Sequence, residues 1–83
     1  MKVYVFVAHD VADFEDFGIS TKVFTKKEDA VAYLKEYRDE QMEYVERDEM
    51  EIEYDIEDHF CAYDDGNWAK NHIEAYVEEH EVI

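Results

Sequence analysis

Residues 48–58 read DEMEIEYDIED, and acidic and apolar side chains alternate along most of this stretch. A β-strand sends successive side chains to opposite faces, so the pattern predicts a strand with one apolar face and one acidic face. The apolar face comprises Met50, Ile52, Tyr54 and Ile56, and the acidic face comprises Glu49, Glu51, Glu53, Asp55 and Glu57. We expect a helix to cover the apolar face and to leave the five acids exposed.

Two segments before this strand are rich in the β-branched and aromatic residues that strands favour. Residues 2–8 are apolar on both faces, which predicts a central strand or one that also meets a partner. Residues 19–24 alternate and predict a second strand, antiparallel to the first. The acidic residues 9–17 between them predict a connection with a short helical turn.

A long helix is predicted from Thr25 to about Arg47. The residues TKKE at 25–28 match a capping box, in which the side chains of Thr25 and Glu28 cap the first turn. Apolar residues then recur at helical spacing, namely Ala30, Val31, Leu34, Tyr37, Tyr44 and Val45. The outer side of this helix is acidic and carries Glu36, Asp39, Glu40, Glu43 and Glu46.

The C-terminal third adds one short strand at 59–63, a turn at 64–67 and a tail at 71–82 that fits either a strand or a helix. We favour a strand for the tail because its alternation runs from residue 72 to 77. The fold class is therefore α+β: a small antiparallel sheet of three to five strands packed on one long α-helix, in the order β-β-α-β-(β)-β. One domain over residues 1–83 accounts for the chain, which contains no proline and no linker-like composition.

The chain carries 24 acids against 8 bases, a net charge of −16. Such a charge argues against direct binding to nucleic acid or to a membrane surface, and it predicts a basic partner. No segment approaches the ~20 apolar residues of a membrane span. Cys61 is the only cysteine, which fits a reducing compartment, so we expect a cytoplasmic protein.

Catalytic and metal motifs are weak in this sequence. His59 and Cys61 would share a strand face, but the spacing to His72 and His80 matches no paired zinc-ligand pattern. The residues before Gly66 do not fit a calcium-binding EF-hand loop, and two glycines cannot build a phosphate loop. We expect no cofactor, no metal site and no enzymatic activity.

The density of carboxylates is the strongest functional signal. Between Asp39 and Asp65 there are 13 acids and one base, Arg47. Acids on one strand face lie about 6.6–6.8 Å apart, whereas each DNA strand carries a charge every ~3.4 Å. To match the charge density of DNA, the strand therefore needs a second row of acids beside it. The candidates for this row are Glu36, Glu40, Glu43, Asp64 and Asp65. A purely structural alternative is a water-facing sheet surface or a charged edge strand.

In size and charge the chain is similar to small acidic proteins of phages and mobile elements, including DNA mimics that block restriction or CRISPR nucleases. That likeness implies an inhibitor that presents acids to a basic nucleic-acid-binding protein or nuclease. The alternative is another small acidic interaction module, such as an immunity protein, an antitoxin or an adaptor. Because the first strand is apolar on both faces, a homodimer is also possible.

Overall fold

The computed structural model describes residues 1–12, 14–64 and 71–82. Six elements follow one another in these residues: β1 (Lys2–Ala12), β2 (Glu15–Phe24), α1 (Lys27–Arg47), β3 (Glu51–Ile56), β4 (His59–Tyr63) and β5 (His72–Glu81). The strands form one antiparallel sheet in the order β2-β1-β5-β4-β3, and α1 packs on one of its faces. The predicted α+β class is confirmed, and the order along the chain is β-β-α-β-β-β.

The tail is a strand, as its alternation predicts, and it occupies the centre of the sheet between β1 and β4. Ile73 and Ala75 of β5 face the helix and are buried. Strand β1 lies between β2 and β5, which explains why it is apolar on both faces. The first strand is thus internal to the sheet.

The predicted helical turn at 9–17 is wrong, because β1 and β2 continue through this segment as a long hairpin. Their register shifts between His9 and Val11, so that Phe17 and Gly18 together oppose Asp10. This is a β-bulge, which places one extra residue in one strand. Gly18 accommodates the extra residue of the bulge with a φ of 84°, a conformation that glycine adopts without steric cost.

Helix α1 begins one residue later than the capping box predicts. Its N-cap is Lys26, and no side chain caps the first turn, so the predicted pairing of Thr25 with Glu28 is wrong. Glu28 and Asp29 lie in the first turn, where their charge favours the positive end of the helix dipole. The helix ends at Arg47, as predicted.

The core lies between α1 and the sheet. Phe60 at the centre of β4 is fully buried, and the Tyr33 and Tyr37 rings meet the Phe6 ring edge-on, with centroids 4.9 and 5.5 Å away. Burial of an aromatic side chain such as that of Phe60 contributes roughly 2–3 kcal/mol to the stability of the fold. The remaining buried apolar residues include Ala8, Ala30, Leu34, Val45, Ala62, Ile73 and Ala75. Tyr44, which the sequence places on the core face of the helix, is exposed instead.

Strand β3 departs from the predicted alternation at Glu53. Ile52 pairs with Ala62 but Tyr54 pairs with Cys61, so Glu53 is an extra residue in a second bulge. After the bulge, each side chain of β3 points to the face opposite to the one that uninterrupted alternation predicts. Tyr54 and Ile56 are consequently 45% and 58% exposed, and the expectation that α1 covers the whole apolar face is wrong. Met50, just before β3, is the one member of that face that is buried.

Among the residues that the structure describes, no helix combines the length and apolar character needed to cross a membrane.

Candidate functional site

The outer side of α1 presents a continuous row of acids. Glu36, Glu40 and Glu43 are exposed, and one helical turn of about 3.6 residues brings them onto the same side. This side is opposite to the buried Ala30 and Leu34. Asp39 and Glu46 flank the row and are also exposed.

Few of these helix acids form ion pairs with other described residues. Within the described part of the chain, Asp39 is bonded by Arg38 Nη1 at 3.1 Å, whereas Glu36, Glu40 and Glu43 make no ion pair. We call Glu36, Asp39, Glu40, Glu43 and Glu46 the helix row.

The predicted strand acids do not form one face. Glu51 opposes Tyr63 on the side of the sheet that α1 leaves open, and Glu53 lies in the bulge beside Cys61 on that same open side. Glu49 precedes the strand with a φ of 53°, and Glu57 follows it in the β3–β4 turn. All four are exposed.

Asp55 is separated from the other strand acids by the bulge. It opposes Phe60 and therefore lies on the helix side of the sheet, where Arg38 Nη2 and Nε donate to its two oxygens at 2.7 and 3.0 Å. These bonds from Arg38 hold the pKa of the Asp55 carboxyl below its ordinary value. Its charge is thus neutralised locally, so Asp55 adds little to an acidic surface.

Asp64 follows β4 and is hydrogen-bonded to Asn71, which precedes β5. Its backbone N–H donates to the carbonyl of Asn71 at 2.9 Å, and its carboxylate accepts from the Asn71 side chain at 3.2 Å. These two bonds join the ends of β4 and β5. Asp65, the other predicted acid at this turn, lies outside the described residues.

The open face of the sheet brings together groups that the sequence keeps apart. Cys61 Sγ lies 3.8 Å from Glu53 Oε2 on β3 and 3.8 Å from His72 Nε2 on β5. Burial, with help from the charges of Glu74 and Glu53, raises the pKa of the thiol to about 12. Burial also lowers the pKa of His72. The thiol is therefore protonated and shielded at neutral pH.

The side chains of Cys61, Glu53 and His72 do not surround a common point. Cys61 is on the middle strand of three, so its two neighbours approach it from opposite sides. Among the described residues, no group of three or more His, Cys, Asp or Glu side chains is placed to hold a metal ion.

Two histidine–carboxylate contacts between neighbouring strands lie on the same face, and sequence reasoning missed both. His59 Nε2 lies 2.9 Å from Glu74 Oε2, and its ring stacks on Tyr54 with a centroid distance of 4.5 Å. His9 Nε2 lies 2.9 Å from Asp16 Oδ1. Strand pairing creates these contacts, so only a correct register could have predicted them.

A groove of about 290 Å³ lies between the β1–β2 hairpin and the C-terminal end of α1, with Phe17 and Tyr44 in its wall. Asp10 also lines it, and burial raises the pKa of its carboxyl. Among the described residues, those that line the groove include no cysteine, serine or histidine beside Asp10.

No known protein family, curated protein or solved structure matches this chain. The geometry of its own residues therefore carries the functional argument. That geometry separates two acidic surfaces: the helix row on one side of the molecule and Glu51 with Glu53 on the other.

Proposed function

We propose that the protein is a non-enzymatic binding protein whose helix row competes with nucleic acid for a basic protein, such as a nuclease or another nucleic-acid-binding protein. The observation that carries this proposal is the position of the helix row. Its acids point away from the core, and only Asp39 has a basic partner within the described residues.

The spacing of the helix row supports a likeness to the charge of DNA. Residues 36–46 span about 15 Å at 1.5 Å per residue, and four acids with no ion pair among the described residues, Glu36, Glu40, Glu43 and Glu46, share that length. One such carboxylate therefore occurs about every 4–5 Å, which approaches the ~3.4 Å between phosphates along one DNA strand. Even the single strand face that the sequence predicts would be less dense, because acids on one strand face repeat every ~6.6–6.8 Å.

The helix row is also costly for folding. Glu36 and Glu40 are four residues apart and Glu40 and Glu43 three apart, and like charges at these spacings destabilise a helix by about 0.2–0.5 kcal/mol per pair. Glu43 and Glu46 additionally lie toward the negative end of the helix dipole. An arrangement that weakens the fold is better explained by binding than by stability.

The test uses the purified protein, immobilised, to capture proteins from a nuclease-containing lysate at low salt. We expect capture of a basic nucleic-acid-binding protein, and we expect added duplex DNA to release it. Raising the salt should also release it, because exposed charges are screened within about 10 Å at 0.1 M. A partner that stays bound in the presence of excess DNA would contradict competition with nucleic acid.

A second candidate is an interaction module that uses the open sheet face, as an immunity protein, antitoxin or adaptor could. The observation that favours it is the exposure of Tyr54 and Ile56 on that face, since exposed aromatic and aliphatic side chains anchor many interfaces. This candidate predicts capture that resists salt and DNA but is lost in the variant Tyr54→Ala.

A further inference from the structure

The charges along β2 are arranged in an ordered way. Acids Glu15 and Asp16 begin the strand, and bases Lys26 and Lys27 follow its end. Between them, residues 17–24 carry one charge, that of Lys22. In a chain with 24 acids, this is a rare stretch that a second acidic molecule could approach without repulsion.

β2 is also an edge strand of the sheet, and nearly all of its residues are exposed. Ile19 and Val23 are 70% and 62% exposed and share the open face. An edge strand presents unpaired backbone N–H and C=O groups, which can pair with a strand of another chain.

The opposite edge of the sheet is protected, whereas residues 19–24 of β2 carry neither an acid nor a bulge. Glu51, Glu53 and a bulge occupy β3, and charges and bulges are the usual protection against edge pairing. Lys22 of β2 does not project across the edge, because its ammonium lies 4.6 Å from the centroid of the Tyr33 ring. The bulge at Gly18 limits the regular part of β2 to residues 19–24.

We infer that residues 19–24 of β2 pair antiparallel with the same residues of a second copy of this chain, with Thr21 opposite Thr21. Residues opposite each other in a sheet share a face, so a two-fold pair joins residues of the same parity. With Thr21 on the two-fold axis of the dimer, Ile19 of each copy lies opposite Val23 of the other. Lys22 on the axis would instead bring two ammonium groups together.

Charge complementarity identifies a second copy as the occupant. In this register the acids at 15 and 16 of one copy lie at the level of Lys26 and Lys27 of the other. The same contact recurs at the other end of the pair. A strand that is acidic at its start and basic at its end attracts its own copy only when the two run antiparallel.

The result is one continuous sheet of ten strands, with both helices on the same side. This inference is independent of the proposed function, because the helix row lies on α1 and remains exposed in the dimer.

Sedimentation equilibrium of the full chain tests the pairing. We expect a mass twice the 10.0 kDa of the monomer, and roughly ten-fold weaker association for Thr21→Glu and for Thr21→Lys, each of which places like charges together on the axis. An equal mixture of the two variants should associate at least as tightly as the wild type. Ala32→Glu adds the same charge at an exposed position of α1 and should leave association unchanged.

Two results would overturn the inference: a wild-type chain that stays monomeric at millimolar concentration, or a mixture that associates no more tightly than either variant alone. Circular dichroism of each variant confirms that its fold is intact, which is expected because Thr21 is exposed.

Oxidation of single-cysteine additions tests the register. Opposed residues of antiparallel strands have Cα atoms about 4.5–5.5 Å apart, within the range of a disulfide. Thr21→Cys should therefore form a covalent dimer. Lys26→Cys should not, because the two copies of position 26 would lie about 30 Å apart. Equal cross-linking of both variants would contradict this register, and the wild type controls for Cys61.

Discussion

Arg38 on α1 and Asp55 on β3 form a two-bond pair, with N···O distances of 2.7 and 3.0 Å. The pair joins the helix to an edge strand that otherwise contributes little to the core. We predict that Asp55→Asn lowers the free energy of unfolding by about 0.5–1 kcal/mol, as expected for a partly exposed pair. Urea unfolding at pH 7 measures this, with the exposed Glu57→Gln as a control that should show almost no change.

The same pair gives a pH dependence. The pKa of Asp55 is lower in the folded chain than in the unfolded chain, so the unfolded chain binds more protons in the acidic range. The stability that the pair contributes is complete above the ordinary carboxyl pKa and is lost as the pH falls through the depressed one. The difference between wild type and Asp55→Asn should thus shrink below about pH 4. A constant difference down to pH 2 would contradict the assignment of the pair.

Neutralising the helix row should stabilise the protein. Glu40→Gln together with Glu43→Gln removes several like-charge pairs, and we expect a gain of about 1 kcal/mol at low salt. The gain should decrease at high salt, since it is electrostatic. Thermal or urea unfolding at two salt concentrations measures it.

Glu28→Gln provides a control of opposite sign on the same helix. Glu28 lies in the first turn, where its charge favours the helix dipole, so its loss should destabilise by about 0.3–1 kcal/mol. If both changes moved stability in the same direction, total charge rather than position on the helix would be responsible.

Cys61 should be unreactive in the folded protein. It is 2% exposed, and burial raises the pKa of its thiol to about 12, so very little thiolate is present at pH 8. Iodoacetamide should label it slowly in the native state and readily in guanidinium chloride, as followed by mass spectrometry. Rapid labelling of the native protein would place the thiol at the surface and contradict the structure.

Gly18 should be sensitive to replacement for a backbone reason alone. Its φ is 84°, and a Cβ atom added there would have no neighbour within 4 Å. Gly18→Ala should therefore cost about 1–2 kcal/mol through conformational strain, and Gly18→Asn should cost less because asparagine tolerates positive φ better. Urea unfolding of the two variants measures the difference. Equal costs would indicate a different hairpin conformation.

Much of the architecture follows from residue patterns. The 3.6-residue spacing of Ala30 and Leu34 predicts α1, and the alternation at residues 72–77 predicts β5. Each pattern reports a periodic burial that the fold requires, so local sequence suffices to predict it.

The two bulges could not be predicted in the same way. A single extra residue at Glu53 reverses the faces of Tyr54 and Asp55, although residues 49–57 alternate without interruption. The bulge accompanies the pairing of Tyr54 with Cys61 and the bond from Arg38 to Asp55, which are contacts between residues distant in sequence. For this reason the site predicted as one acidic strand is divided, and the helix acids are the row that stays together.

The central claim is that the helix row, rather than the strand acids, meets the basic partner. Three immobilised proteins test it with the same lysate: the wild type, a variant with Glu36, Glu40 and Glu43 changed to Gln, and a variant with Glu49, Glu51 and Glu57 changed to Gln. Both variants lose three charges, so their net charges match. We predict that DNA-displaceable capture is lost in the helix variant and kept in the strand variant; the reverse result would contradict this account.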